Sequence, residues 1–375
     1  MFQDMRLTKK IIQESKKYKT PFLLMDPDHA RENYRKIKHS IDGVEVFYAM
    51  KANDHQKILE VLVKEESSFE ISSLNELKSL LALNVSPEKI MSLNPIKSPE
   101  FLTEMEKVGV ELMAYDSTDE IDKIVKYAPH AKLFIRLNVS NEGSDWPLTK
   151  KFGVDAPEIL PLLRYAKKKG CHPIGITFHV GSQCLNKNNW VSALYICDDI
   201  WNQAKKEGIN LYFLSLGGGI PIQHLKKIPT IAEIGEVINT TVKKNFKIAG
   251  DRLRISIEPG RGLIGDSGIM ITTVIGKAKR GTEEWIYIDA GVFNGFMETI
   301  ENFAYEIKTE YKRKKRTVTI AGPSCDSVDV PFKNYPLSEV KIGERVYIIN
   351  AGAYTTVYAS NFNGFNSPAI YFLNS

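Results

Sequence analysis

Cysteine is scarce in this chain: there are four, Cys171, Cys184, Cys197 and Cys325, with no CxxC pair and no Cys/His spacing of a metal finger. That argues against a disulfide framework and against a structural metal, so no metal is expected and a reducing compartment is. No apolar run is long enough to cross a bilayer, which removes the membrane as a partner. The opening MFQDMRLTKKIIQE lacks the apolar centre of a secretory signal, and a cytoplasmic location is the expectation. Internal repeats and low-complexity linkers are missing too. Charge of one sign is not in large excess, since 50 Lys and Arg stand against 45 Asp and Glu. The densest basic run, Lys312 to Arg316, is as short as a solvated turn, so no nucleic-acid partner is expected.

What is present is an ordinary globular composition, 43% hydrophobic and 25% charged, over 375 residues, enough for one large domain with an addition. Between Pro27 and Arg261, short apolar runs alternate with amphipathic stretches. The runs are VEVFYAM, SSFEIS, KIMSLN, ELMAYD, KLFIRLNV, IGITFHV, LYFLSL and RISIEP, separated by segments such as HQKILEVLVKEE and APEILPLLRYAKKKG. Parallel strands joined by helical crossovers, eight times over, predict an α/β fold: a (β/α)8 TIM-like barrel over 27–267. After Arg261 the runs become β-rich without helices between them, as in EWIYIDAG and ERVYIINAGAY. This predicts a C-terminal antiparallel β domain, a sandwich or small barrel of residues 268–375, completed by the N-terminal segment 1–26 with its TPFLLMD strand.

Barrel enzymes place reactive groups at the C-terminal ends of their strands. Here those ends offer Lys51, Glu70 with Ser72, Asn94, Asp116, Arg136 with Asn138, His179 with Ser182, Gly217-Gly218-Gly219, and Glu258 with Arg261. A glycine turn between a strand and Ile220-Pro221 suits a phosphate. A dinucleotide fingerprint fails at Ile222, where its third glycine belongs. Arg261 and Glu258 on their Pro-Gly turn read equally well as a structural ion pair or as a phosphate fork beside a carboxylate for a ring nitrogen. An amine for an aldehyde, a phosphate nest, an arginine and such a carboxylate are the parts that hold pyridoxal 5'-phosphate.

The motifs FYAMKAN, FHVGSQC, LGGGIP, EPGR, GPSCDSVD and GAYTTVYASNFNGF occur in this order between Phe22 and Phe372. In these the chain resembles the alanine-racemase-fold (fold type III) decarboxylases of basic amino acids, which act on ornithine, lysine, arginine or diaminopimelate. DWPLTKKFG and ETIEN are most similar to the bacterial ornithine/lysine branch. The resemblance implies that Lys51 binds the cofactor covalently, that His179 stacks on its ring and that Glu258 partners the pyridine nitrogen. It assigns Ser182, Gly217, Gly218, Gly219, Arg261 and Tyr354 to the phosphate, places Arg136 and Glu70 near the cofactor, and makes Cys325 the donor of a proton to the product. Asp326, Glu301 and Asn302 fall at substrate positions, and Lys151 with Asp329 at an interface of a homodimer that shares its active sites. Three departures stand out: Glu70 where the family has aspartate, Ser215-Leu216 where Asp-Ile often precedes the triple glycine, and Asn302, with Glu301 adjacent, where eukaryotic ornithine decarboxylases carry an acid for the distal substrate amine.

The implied activity is decarboxylation of a basic L-amino acid, ornithine first and lysine next, to a diamine, as in polyamine biosynthesis. Arginine, diaminopimelate or a siderophore-pathway intermediate is the alternative substrate. Racemisation on the same fold is disfavoured by Glu258, since racemases usually avoid a protonated ring nitrogen. A non-catalytic, decarboxylase-like regulator is disfavoured because Lys51, Glu258, Arg261 and Cys325 are all retained.

Overall fold

The structure, a computed structural model, describes residues 7–148, 151–246 and 253–373. Thr149 and Lys150 of DWPLTKKFG and the first six residues of the N-terminal segment lie outside them. The chain forms two compact units: residues 33–221 with 229–260, and residues up to 32 with 222–228 and from 261 onward. The expected division at 27 and 267 differs at its edges, where 27–32, 222–228 and 261–267 go with the second unit. For 222–228 the reason is local: Asn350 Nδ2 donates to the Gln223 carbonyl at 2.5 Å, and the His224 ring meets Phe303 and Tyr305 edge to face at 5.0 and 5.3 Å.

In the first unit the eight expected runs form a closed parallel barrel. Its strands are β2 (Val44–Ala49), β3 (Ser68–Glu70), β4 (Ile90–Ser92), β5 (Leu112–Tyr115), β6 (Lys132–Arg136), β8 (His172–Thr177), β10 (Phe213–Ser215) and β11 (Arg254–Ile257). Sheet pairing follows this order around the ring and closes from β11 to β2. Strands buried on both faces need continuous apolar runs, which is why these segments do not alternate. Phe47, Met91, Leu93, Leu112, Ala114, Phe134, Ile174 and Phe213 form one buried cluster, with Phe134 and Phe213 edge to face at 4.9 Å. Gly175 is required there, since a Cβ would lie 1.9 Å from the Phe213 carbonyl oxygen. The crossover helices start where short polar side chains cap them: Ser73, Ser98, Ser117 and Thr230 each accept the backbone N–H three residues on. A two-stranded antiparallel ribbon, β7 (Ser144–Trp146) with β9 (Ser182–Cys184), was not evident in the sequence, because SDW and SQC carry no strand pattern of their own.

The second unit is an eight-stranded sheet of β1 (Phe22–Met25), β12 (Gly268–Arg280), β13 (Glu283–Ile288), β14 (Glu306–Thr309), β15 (Lys315–Ala321), β16 (Phe332–Ser338), β17 (Arg345–Ile349) and β18 (Ala369–Phe372). TPFLLMD does join it, as β1, antiparallel to β12. The sheet is mostly antiparallel, but β1 runs parallel to β18 and β13 parallel to β15. Long connections permit both, since parallel neighbours need a crossover rather than a tight turn. Phe22, Leu24, Ile269, Ile271, Tyr347 and Ile349 bury one face together with Ile11 and Leu373.

Candidate active site

Lys51 sits on a single 3-10 turn, Met50–Ala52, directly after β2, where Met50 and Ala52 are buried and anchor it. Its side chain is 49% exposed, and Nζ lies 3.3 Å from Oε2 of Glu70 at the end of β3, a carboxylate almost wholly buried. The longer arm of glutamate therefore does reach the amine. Ser72 Oγ donates to the other Glu70 oxygen at 3.4 Å. The Ser72 backbone N–H is held in turn at 2.6 Å by Glu76, on the helix Leu74–Ala82. Burial pushes the Glu76 carboxyl up to about 7, with the Glu70 and Asp54 charges adding to the rise.

Glu258 follows β11 and is 7% exposed. Burial, and then the charge of Glu70, push its carboxyl up to about 7 against the pull of a Ser215 hydrogen bond, Lys51 and Arg136. Its backbone N–H donates to the Gly217 carbonyl at 2.8 Å, which ties it to the glycine turn. Gly217 and Gly219 have φ of +64° and +102°. At Gly218 a Cβ would lie 2.8 Å from the Glu258 carbonyl oxygen and 2.9 Å from His179 Nε2. Backbone and imidazole thus approach as closely as only glycine allows. His179 Nδ1 accepts the Gly181 N–H at 3.0 Å, so the neutral ring carries its proton on Nε2. Burial, with Arg136 and Lys51 adding, holds that ring well below the usual histidine range. Ser182 begins β9 two residues before Cys184, whose N–H donates to the Gly219 carbonyl at 2.9 Å.

Arg136 ends β6, donates to the Leu93 carbonyl at 3.3 Å and lies over the Phe152 ring at 5.7 Å. Burial works against its charge while Glu258, Glu70 and Asp116 favour it. A second lysine, Lys97, is fully buried: Nζ reaches Glu120 at 3.0 Å and donates to the carbonyls of Asn94 and Ala114 at 3.0 and 2.6 Å. Burial lowers it to about 8. Lys151 is exposed, with its ammonium 5.0 Å from the Phe152 ring.

In the second unit Arg261, read either as a structural partner of Glu258 or as a phosphate fork, has a carboxylate beside it. Arg261 is 3% exposed and pairs with Glu298 at 2.5 Å, its guanidinium 4.4 and 4.9 Å from the Phe303 and Tyr354 rings. The Tyr305 hydroxyl donates to the same carboxylate at 3.3 Å. Glu298 opens the ETIEN motif and is buried, whereas Glu301 and Asn302 are exposed at the end of the 3-10 turn Met297–Glu301, with Asn302 at φ +63°. Cys325 and Asp326 are exposed. Asp326 Oδ1 accepts the Val328 N–H at 2.9 Å. Asp329, expected at an interface with Lys151 of a second copy, is held within its own turn. It is 2% exposed, and its oxygens accept the N–H groups of Val292 at 2.7 Å and Ser324 at 3.0 Å, which organises the GPSCDSVD turn.

Sequence reasoning missed Ser215, Glu76, Glu298 and Asn363. Ser215 had left a signal: it is the departure before the triple glycine, and its hydroxyl donates to Glu258. Asn363 accepts from Cys325, through a carbonyl 38 residues away that no spacing rule singles out. Among the described residues no cluster of His, Cys, Asp or Glu could hold a metal, and no helix is long and apolar enough to cross a membrane.

A half-exposed amine, a glycine turn with positive φ at Gly217 and Gly219 and a buried, titratable carboxyl fit pyridoxal phosphate. Residues 28–265 match the family described as pyridoxal-dependent decarboxylase, pyridoxal binding domain. A lysine/ornithine decarboxylase of Selenomonas ruminantium is 33% identical over 99% of this chain and 94% of its own length. The crystal structure of the S. ruminantium lysine decarboxylase with PLP and cadaverine superposes with a TM-score of 0.91 at 32% identity, covering 99% of this chain and 95% of that one. The arginine decarboxylase of Paramecium bursaria Chlorella virus superposes with a TM-score of 0.89 at 28% identity, covering 97% and 99%.

Proposed function

Since this chain belongs to the pyridoxal-dependent decarboxylases and is an amino-acid decarboxylase that uses pyridoxal 5'-phosphate, we propose that it converts a basic L-amino acid, ornithine first and lysine next, to its diamine and CO2. Bound there, the cofactor supplies an aldehyde for an amine and a ring that takes up the electron pair left when CO2 departs. Lys51 provides the amine that binds the aldehyde, and Glu70 orients it. Glu258 holds a proton at the ring nitrogen, where charge stabilisation counts most in the transition state. The neutral His179 ring stacks on the cofactor, and Arg136 keeps the local charge in balance. By motif position, Ser182, Gly217, Gly218, Gly219, Arg261 and Tyr354 hold the phosphate.

Cys325 returns a proton to Cα: its S–H bond breaks, a C–H bond forms, and the thiolate left behind recovers a proton from water. Asp326 and Glu301, with Asn302 beside it, select the distal ammonium of the substrate, since a neutral side chain would leave their charges unpaired. The exposed Val328, Phe362 and Phe365 in the same unit as Cys325 support a homodimer that covers this surface.

The observation that carries the decarboxylase chemistry is Glu258, a buried carboxyl poised near neutrality and coupled in charge to Lys51 and Arg136. The test is a steady-state panel of L-ornithine, L-lysine, L-arginine and diaminopimelate, following CO2 and enantiomer ratio in wild type, Glu301→Ala and Asn302→Asp. We expect L-ornithine or L-lysine to be fastest and Glu301→Ala to raise KM about tenfold or more, as loss of a charged hydrogen-bond partner does. Racemisation without CO2 release, or a preference that neither substitution moves, would sink the reading.

A further inference from the structure

Cys325 is exposed on its turn, yet it is held at two points by one side chain. Asn363 Oδ1 accepts the Cys325 backbone N–H at 3.1 Å and lies 3.2 Å from its Sγ. A backbone N–H can only donate, so the amide must face it with oxygen and not with its NH2. The same oxygen then has one favourable partner at sulfur, the S–H hydrogen, because a thiolate would meet a carbonyl dipole pointing the wrong way. Asn363 pays for this placement locally: its φ is +53°, in the left-handed region that asparagine tolerates better than most residues. The following Gly364, at φ +77°, continues the turn.

We propose that Asn363 is a positioning residue for Cys325, one that fixes the sulfur and the direction of its S–H hydrogen on the turn. This rests on the reading of Cys325 as proton donor. With the sulfur fixed, delivery needs only rotation of the S–H hydrogen about the Cβ–Sγ bond. A simple loop clip would need only the backbone half of this contact.

Two substitutions separate a positioning role from a structural one. Asn363→Gly tolerates the same φ and removes the acceptor. Asn363→Asp retains an acceptor at the same place. The first readout is the rate at which iodoacetamide alkylates Cys325 in the full-length apoprotein, followed at the Cys325 peptide by mass spectrometry. The second is the fraction of turnovers of the holoenzyme, on L-ornithine or L-lysine, that yield aldehyde in place of amine because the proton was misplaced. Loss of one modest hydrogen bond predicts alkylation about three- to tenfold faster in Asn363→Gly. It also predicts a raised aldehyde fraction there, with Asn363→Asp alkylating no faster than wild type and keeping a near-native aldehyde fraction.

Equal alkylation in wild type and Asn363→Gly overturns the proposal. So does faster alkylation with an unchanged aldehyde fraction, provided Cys325→Ala raises that fraction. If Cys325→Ala leaves the fraction unchanged, the donor role itself falls, and the alkylation rates still decide whether Asn363 holds the thiol.

Discussion

Replacing Glu258 by glutamine keeps its shape and its reach to Ser215 while removing its ability to ionise. The wild-type carboxyl moves from an ordinary 4.5 to about 7 on folding, because burial and Glu70 penalise the charge. A raised carboxyl favours the folded state below its unfolded value, and that advantage is lost as pH rises through the folded value. At about 1.4 kcal/mol per pH unit, the burden of the ionised group is about 3 kcal/mol at pH 8 and about 1 kcal/mol at pH 5. Apoprotein carrying Glu258→Gln is therefore expected to gain stability chiefly at high pH. Its thermal midpoint should rise by roughly 5 °C more at pH 8 than at pH 5, read by circular dichroism. The holoenzyme should pay in rate, with decarboxylation falling about 100-fold as the charge opposite the ring nitrogen disappears. A midpoint shift equal at both pH values, or destabilisation at pH 8, would refute the view of Glu258 as a charge held at a cost for function.

Gly218→Ala sets a Cβ 2.8 Å from the Glu258 carbonyl oxygen and 2.9 Å from His179 Nε2, and only the imidazole can yield. Cofactor affinity by fluorescence titration should weaken about tenfold or more, equivalent to about 1.4 kcal/mol, and native affinity would show that the glycine turn does not form the cradle. Lys97→Met strips a buried ion pair of one member and two carbonyls of their donor, at a cost of about 3 kcal/mol in urea unfolding. The double substitution Lys97→Met, Glu120→Leu should recover much of that loss, and if it is worse than the single change the pair is a net stabiliser.

The barrel was legible because its strands are unbroken apolar runs that alternate with amphipathic helical stretches, both local signals. The β7–β9 ribbon and the two parallel pairings of the second sheet were not, because they depend on where long connections return. The same divide runs through the site. Lys51, Glu70, His179, the glycine turn and Glu258 come from strand ends, which a barrel gathers by topology. Arg261 was read as a partner of its sequence neighbour Glu258 or as a phosphate fork, and the carboxylate that pairs with it is Glu298, 37 residues on. Asp329 was read as an interface residue, and the turn it belongs to folds around it: a Cβ on Gly291 or on Gly322 would fall within 2.3 Å of its carboxylate. Residue type announced both groups, and only the fold could choose their partners.

The claim on which the rest depends is that Lys51 is the amine that binds the cofactor. Lys97 is the instructive rival, since it also follows a barrel strand and burial lowers it to about 8, but it is sealed among Glu120 and two carbonyls while Lys51 is half exposed at the barrel mouth. Borohydride reduction of the holoenzyme, proteolysis and mass spectrometry locate the fixed cofactor directly. The account predicts the reduced pyridoxyl group on the peptide containing Lys51 and its loss in Lys51→Ala; a label on Lys97, or on no lysine, would contradict it.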